Sequence, residues 1–208
     1  MSEQRTTIVN REHFQTAYSG DAPPWDIGKA QPVFVAVADG MAGSLLDVGC
    51  GTGENALFFA SRGCKVTGVD FLEPPIAAAK RKAEERGLAA TFLVKDALRL
   101  REWAERFDNA IDSGLFHVFS DEDRPRYIEG LKTVLKPSGR FYLACFSDKT
   151  PGTNGPRRVT MKELRDAFAD GWEIESIEAK EFEVRPEAKQ MFDGGAPKAW
   201  FMIARRTA

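Results

Sequence analysis

The segment LLDVGCGTGENAL, residues 45–57, places Gly49, Gly51 and Gly53 at alternate positions behind a short apolar run that carries Asp47 near its end. Glycine loses more conformational freedom on folding than any other residue, so such a cluster belongs where the backbone turns sharply or another group comes very close to it. Gly49 and Gly51 remove side chains from between chain and ligand, and the N–H groups of such a turn can receive a carboxylate or ribose oxygens. Asp47 suits organising the turn or holding a cationic amino group. Asp70, 21 residues after Gly49, can accept hydrogen bonds from both hydroxyls of a ribose. Asp96, in VKDA, can accept from an adenine amino group, and Asp112, in IDSGLFH, completes a set of four. Each aspartate alone has a plain alternative as a helix cap or turn former. Together with the glycines they fit a bound dinucleotide, nucleotide or other adenosyl ligand. The glycines are not spaced as the dinucleotide fingerprint G-x-G-x-x-G, and Glu54 at the helix start disfavours a pyrophosphate. No lysine follows the glycines, so a phosphate loop is excluded.

The elements around these residues alternate between short β-branched runs and helical patterns, which is an α/β signature. Strands are predicted at 44–48, 65–70, 91–94, 107–112 and 140–146. Helices are predicted at 54–61, from Pro75 to Gly87, over about 98–105, and from a Ser120 cap to Leu135, with KPSG as the stop. Thr160 and Glu163 have capping-box spacing. Repeated strand–helix–strand order implies parallel strands with right-handed crossovers. The four aspartates then close four strand ends around one crevice. Two further strands, near 172–184 and 199–205, are joined by RPEAKQMFDGGAPK, which has no good helical face, so an antiparallel pair at the sheet edge is predicted. Residues 10–40 read as two short helices, the second opened by Pro32.

Leu45 to Phe146 resembles a class I S-adenosylmethionine (SAM)-dependent methyltransferase. LLDVGCGTGENAL matches that family's first motif, VTGVD the second, VKDA the third, FDNAIDSGLFHVF the fourth and LKPSGRFYLACF the next segment. The resemblance implies a Rossmann-like, doubly wound sheet of seven strands in three α/β/α layers, with order 3-2-1-4-5-7-6 and the seventh strand antiparallel. It implies SAM as cofactor and S-adenosylhomocysteine as product, with no metal. It places Gly49, Gly51 and the third glycine, Gly53, at the cofactor. Asp70 holds the ribose with Phe71 beside the adenine, Asp96 and Ala97 meet the adenine edge, and Asp112 and Ser113 lie near the methionine amino group or the reactive methyl.

DAPPWDIGKAQPVF resembles the N-terminal segment of small-molecule methyltransferases that act on thiopurines, thiocyanate or halide, and heterocyclic toxins. Trp25 can lay its indole face toward a sulfonium, a cation–π contact worth roughly 0.5–2 kcal/mol. Gln31 can bond a cofactor carboxylate. The expected walls of the methyl-acceptor site are Phe14, Tyr18, Trp25, Phe116, Phe119 and Phe146. The expected lids are residues 10–30 and 147–158, and residues 1–40 together form an N-terminal helical lid. His117 is the candidate general base, with a bond to a backbone carbonyl as its alternative, and Tyr18 a weaker candidate for orienting the methyl acceptor. His13 is expected at the surface or in packing. The expected reaction is methyl transfer to an O, S or N atom of a small, aromatic or heterocyclic molecule. The rival readings are an RNA or protein methyltransferase, and a protein that binds SAM without catalysis.

The chain of 208 residues suits one domain spanning 1–208, and 43% hydrophobic with 29% charged residues is an ordinary globular composition. A net charge of -2 argues against nucleic acid or an anionic membrane as partner. The three cysteines form no CxxC pair, which fits a reducing cytoplasm better than a disulfide framework or zinc site. No apolar run reaches the roughly 18 residues of a membrane helix. A monomer or homodimer is expected.

Overall fold

In chain order, the computed structural model, which describes residues 11–20, 22–152 and 155–207, contains α1 (Arg11–Ala17), α2 (Pro32–Val35), β1 (Ser44–Val48), α3 (Glu54–Ser61), β2 (Lys65–Asp70), α4 (Glu73–Glu85), β3 (Ala90–Val94), β4 (Phe107–Ser113), α5 (Asp123–Val134), β5 (Leu135–Phe146), α6 (Met161–Ala167), β6 (Trp172–Glu181) and β7 (Lys198–Arg206). The sheet order is β3-β2-β1-β4-β5-β7-β6. The first five strands run parallel, and β7 is antiparallel to both β5 and β6. This is the predicted topology.

Alternation along the strands splits the core into two layers. Leu45 faces the layer that holds Ala56, Phe59, Ile76 and Phe92 under α3 and α4. Leu46 faces the opposite layer, with Tyr127, Leu131, Phe141 and Phe168 under α5 and α6. All parallel strands therefore end at one edge of a doubly covered sheet, where small ligands bind in such folds.

Several boundaries differ from the prediction. α4 starts at Glu73, because prolines in a first turn lose no hydrogen bond and can sit inside the helix rather than open it. KPSG does not simply end a helix. It is a bulge within β5, whose pairing jumps from Phe107↔Leu135 to Asn109↔Arg140, with Ser138 left-handed at φ 63°. Residues 97–102 form a 3-10 turn, and Thr160 and Glu163 close the predicted capping box on α6. The β6–β7 connection holds a 3-10 turn, Pro186–Phe192. Among the described residues, no helix is long and apolar enough to cross a membrane.

Candidate active site

The glycine turn is clamped from β2. The N–H groups of Gly49 and Cys50 both donate to the Val69 carbonyl, at 2.8 and 2.9 Å. Gly51 N–H donates to Asp70 Oδ2 at 3.1 Å, and Leu72 N–H to Oδ1 at 3.0 Å. The turn thus offers a ligand its bare contour rather than the free amides the sequence predicted at these positions. Gly51 has φ +52°, and a Cβ there would stand 2.8 Å from the Tyr18 hydroxyl. Gly53 also needs φ +85°, but its missing Cβ makes room for Ala79 and Phe92, at 2.8 and 2.9 Å. It serves helix–sheet packing and, unlike Gly49 and Gly51, is not among the residues bordering the cavity.

The aspartates divide into two pairs. Asp70 and Asp96 border a cavity of about 670 Å³. Asp96 also caps the following 3-10 turn through Leu98 N–H, at 2.9 Å. Asp112 is turned inward, contrary to expectation. Its oxygens accept from Leu115 N–H (2.7 Å), Phe116 N–H (3.0 Å) and the Tyr127 hydroxyl (2.8 Å). Burial pushes its pKa up to about 7 against the pull of these bonds. It pins the loop that carries Ser113 and Gly114 along the cavity. Asp47 is buried beneath the turn, and neither carboxylate oxygen meets a hydrogen-bond donor in good geometry. Burial pushes its pKa up to about 8, opposed by the Ala56 backbone amide.

A roof closes over the cavity from two distant segments. Asp26 Oδ2 accepts from Thr52 Oγ1 at 2.7 Å, which fixes the Trp25-Asp26 pair against the glycine turn. Trp25 Nε1 donates to the Tyr18 hydroxyl at 3.2 Å, and Phe14 meets Trp25 and Phe71 edge-on. The other roof segment is the start of the β6–β7 connection. Gln31 Nε2 donates to the Glu183 carbonyl (2.8 Å) and Gln31 Oε1 accepts from Glu183 N–H (3.0 Å). Arg185 N–H donates to the Pro24 carbonyl at 3.0 Å, and Lys29 pairs with Glu183 at 2.8 Å. Gln31 is therefore a staple between roof segments, not a free group for a cofactor carboxylate.

A methyltransferase-domain family model matches residues 45–139. Over 200 residues the chain is 32% identical to 2-heptyl-1-hydroxyquinolin-4(1H)-one methyltransferase of Mycobacteroides abscessus, covering 90% of this chain and 87% of that one. It is 29% identical to a probable thiol methyltransferase of Arabidopsis thaliana, covering 83% and 79%. A solved structure concerned with conversion of a disulfide bond into a thioacetal group during echinomycin biosynthesis superposes with TM-score 0.84 at 36% identity, covering 94% and 92%. The chain belongs to the SAM-dependent methyltransferases.

The residues of this methyltransferase fit that cofactor. The orphaned Asp47 carboxylate under the turn lacks a cationic partner, and the side-chain-free Gly51 keeps open the space below Tyr18. Phe71, Lys95 and Ala97 continue the same wall past Asp70 and Asp96.

Beyond Ser113 the cavity becomes aromatic. His117 lies on a 3-10 turn, 5% exposed, with Phe146 4.6 Å and Phe182 6.3 Å from its ring centroid. Its Nδ1 accepts from Phe146 N–H at 2.8 Å. Burial, then the nearby Arg124 and Arg158 guanidiniums, push its pKa down to about 3. The ring is therefore neutral with its proton on Nε2, and the lone pair a general base needs is already engaged. The bonding partner is a backbone N–H rather than the carbonyl that the alternative supposed. Burial raises the Tyr18 pKa, so that phenol stays protonated.

Of the predicted walls, Phe14, Tyr18, Trp25, Phe119 and Phe146 do border the cavity. Phe116 does not; it is buried against Phe168 with the Arg124 guanidinium over its ring. His13, expected at the surface or in packing, is exposed at the cavity edge. The 147–158 segment contributes Gly155 and Pro156, while 153 and 154, like residues 1–10 of the expected lid, lie outside the described residues. The wall that sequence reading missed comprises Phe182, Val184, Met191 and Phe192. The available signal was the length of the β6–β7 connection, since long connections in compact folds are often functional.

Proposed function

We propose that this methyltransferase moves the methyl group of SAM to an O, S or N atom of a small aromatic or heterocyclic molecule, as a single-domain monomer or homodimer in a reducing cytoplasm. The observation that carries the reading is the aromatic continuation of the cavity, where Phe146, Phe182 and Phe192 face the space next to the glycine turn. Relatives that act on a hydroxyquinolone and on thiols support the acceptor class. The free state of all three cysteines suits the compartment.

Bound SAM supplies an electrophilic methyl on a sulfonium. In the proposed site Asp70 holds the ribose hydroxyls, Asp96 and Ala97 meet the adenine edge beside Phe71, and Asp47 answers the methionine ammonium from beneath Gly49 and Gly51. Ser113 lies near that ammonium, and Trp25 with Tyr18 covers the sulfonium side. Alignment of nucleophile and methyl can be worth about 7–11 kcal/mol. Opposite charges cancel as they meet, so the dry wall favours the reaction. The roof excludes water from it.

The test is incubation with methyl-labelled SAM and a panel of thiols, phenols, hydroxyquinolones and halides, reading both label transfer and S-adenosylhomocysteine. Label in a small product supports the proposal. SAM bound at full occupancy with no label transferred to any of them would leave a SAM-binding protein without transfer.

A further inference from the structure

We infer that His117 is a fixed hydrogen-bond donor that positions the methyl acceptor and selects it in its deprotonated, anionic form. This rests on the proposed transfer and names the substrate class of the same site as acidic phenols, aryl thiols and cyclic N-hydroxy compounds.

The ring has two nitrogens and the fold has already spent one. Nδ1 takes the Phe146 N–H, a backbone group buried in the last residue of β5 that would otherwise be orphaned. The proton must then sit on Nε2, and no described residue accepts from it. A side chain at Gly114 would come 3.5 Å from Nε2, so this glycine keeps open the space that the nitrogen faces. Gly114, His117 and Phe182 border the same cavity. The site therefore offers the Nε2–H of His117 beside the rings of Phe146 and Phe182. An anion satisfies it best, since hydrogen bonds to charged partners are the stronger ones.

The surrounding charge agrees. Arg124 on α5 and Arg158 in the loop after β5 are the cations near the ring, and the Arg158 guanidinium lies over Phe146 at 5.4 Å. The carboxylates bordering the cavity from the roof and from α5 are engaged: Glu183 with Lys29 at 2.8 Å, and Asp123 with Arg126 at 3.2 Å. Tyr18, from the N-terminal segment, is a protonated phenol. Among the described residues bordering the acceptor end, Glu183 and Asp123 are ion-paired and Tyr18 is protonated, with His13 at the exposed cavity edge, so the site favours an acceptor that has already given its proton to water. The anion brings the electron pair itself. Its attack forms the bond to the methyl carbon as the carbon–sulfur bond breaks, the pair returns to sulfur, and anion plus sulfonium become two neutral products with no proton transferred.

The experiment uses the intact protein loaded with S-adenosylhomocysteine and 4-nitrophenol, whose phenolate absorbs at a longer wavelength than the phenol and whose titration lies near neutrality. Two variants separate the nitrogens. His117→Asn keeps an acceptor for Phe146 N–H and removes the outer donor. His117→Gln keeps an outer donor and gives up the inner acceptor. In the wild type the bound nitrophenol should titrate at lower pH than the free compound. His117→Asn should weaken nitrophenolate binding about tenfold or more and reverse the shift, with S-adenosylhomocysteine affinity unchanged. His117→Gln should retain most of the shift. With graded thiophenols as methyl acceptors, the break in kcat/KM against pH should track each thiol's own pKa. A break fixed at one pH across the series, an unshifted titration, or no nitrophenol uptake by the loaded protein overturns the inference and leaves the proposed transfer standing. Failure to bind S-adenosylhomocysteine removes both.

Discussion

The two ends of the cavity are built differently. The proposed cofactor end is built around one contiguous stretch, β1, the glycine turn and the clamp that Asp70 lays across it from the adjacent strand, with Asp96 and Ala97 added from the end of β3. The methyl-acceptor end is assembled from segments as far apart as Gln31 and Glu183, which meet only when the last hairpin docks. Local construction ties the first end together with hydrogen bonds between adjacent strands. Remote assembly lets the second change its lining without disturbing the first.

The largest effect should come from cutting the clamp. Asp70→Ala removes the proposed ribose partner and leaves the Gly51 and Leu72 amides unpaired, so calorimetry should show S-adenosylhomocysteine binding weakened about 100-fold or more. On the other side, Phe182→Ala opens the aromatic wall. It should raise KM for the methyl acceptor about tenfold while changing S-adenosylhomocysteine affinity less than about twofold. If both constants moved together, the two ends would not be separable.

That division also explains what was legible in the sequence. Gly51 and Asp70 act through neighbours one strand away, so their spacing alone announced them. Alternating strands and helices announced parallel strands with right-handed crossovers, whereas the full sheet order came from the resemblance of the motifs to the methyltransferase family. Asp112 was misread because its partner Tyr127 sits on the next helix, and a carboxylate at a strand end can point either outward or inward. Gly53 was misread because Ala79 and Phe92, which require its bareness, belong to other elements. Gln31 and the Phe182–Phe192 wall depend on docking across most of the chain, which no local pattern encodes. KPSG looked like a terminator because prolines and glycines mark bulges as readily as ends.

Asp47→Asn sharpens the comparison through stability. The folded pKa of about 8 lies above the ordinary 3.8, so the folded protein keeps a proton that the unfolded chain gives up. Stability from this group falls as pH rises from about 4 to about 8. The asparagine variant should escape that fall and melt about 5 °C or more higher than wild type near pH 8, with the gap closing toward pH 4. Its S-adenosylhomocysteine affinity should drop. A variant no more stable at pH 8 would show that the buried carboxylate is already satisfied.

The smallest effect belongs to the staple. Gln31→Ala loses two hydrogen bonds between roof segments and should raise KM for both SAM and methyl acceptor about threefold, because the roof covers both ends. An effect on one ligand only would assign the roof to that end.

The most direct measurement is calorimetric titration of the folded wild-type protein with S-adenosylhomocysteine, repeated on Asp70→Ala and Phe182→Ala. One-to-one binding that is lost in the first variant and kept in the second is the predicted result. Wild-type protein that takes up no S-adenosylhomocysteine, or binds it equally well without Asp70, would contradict the account.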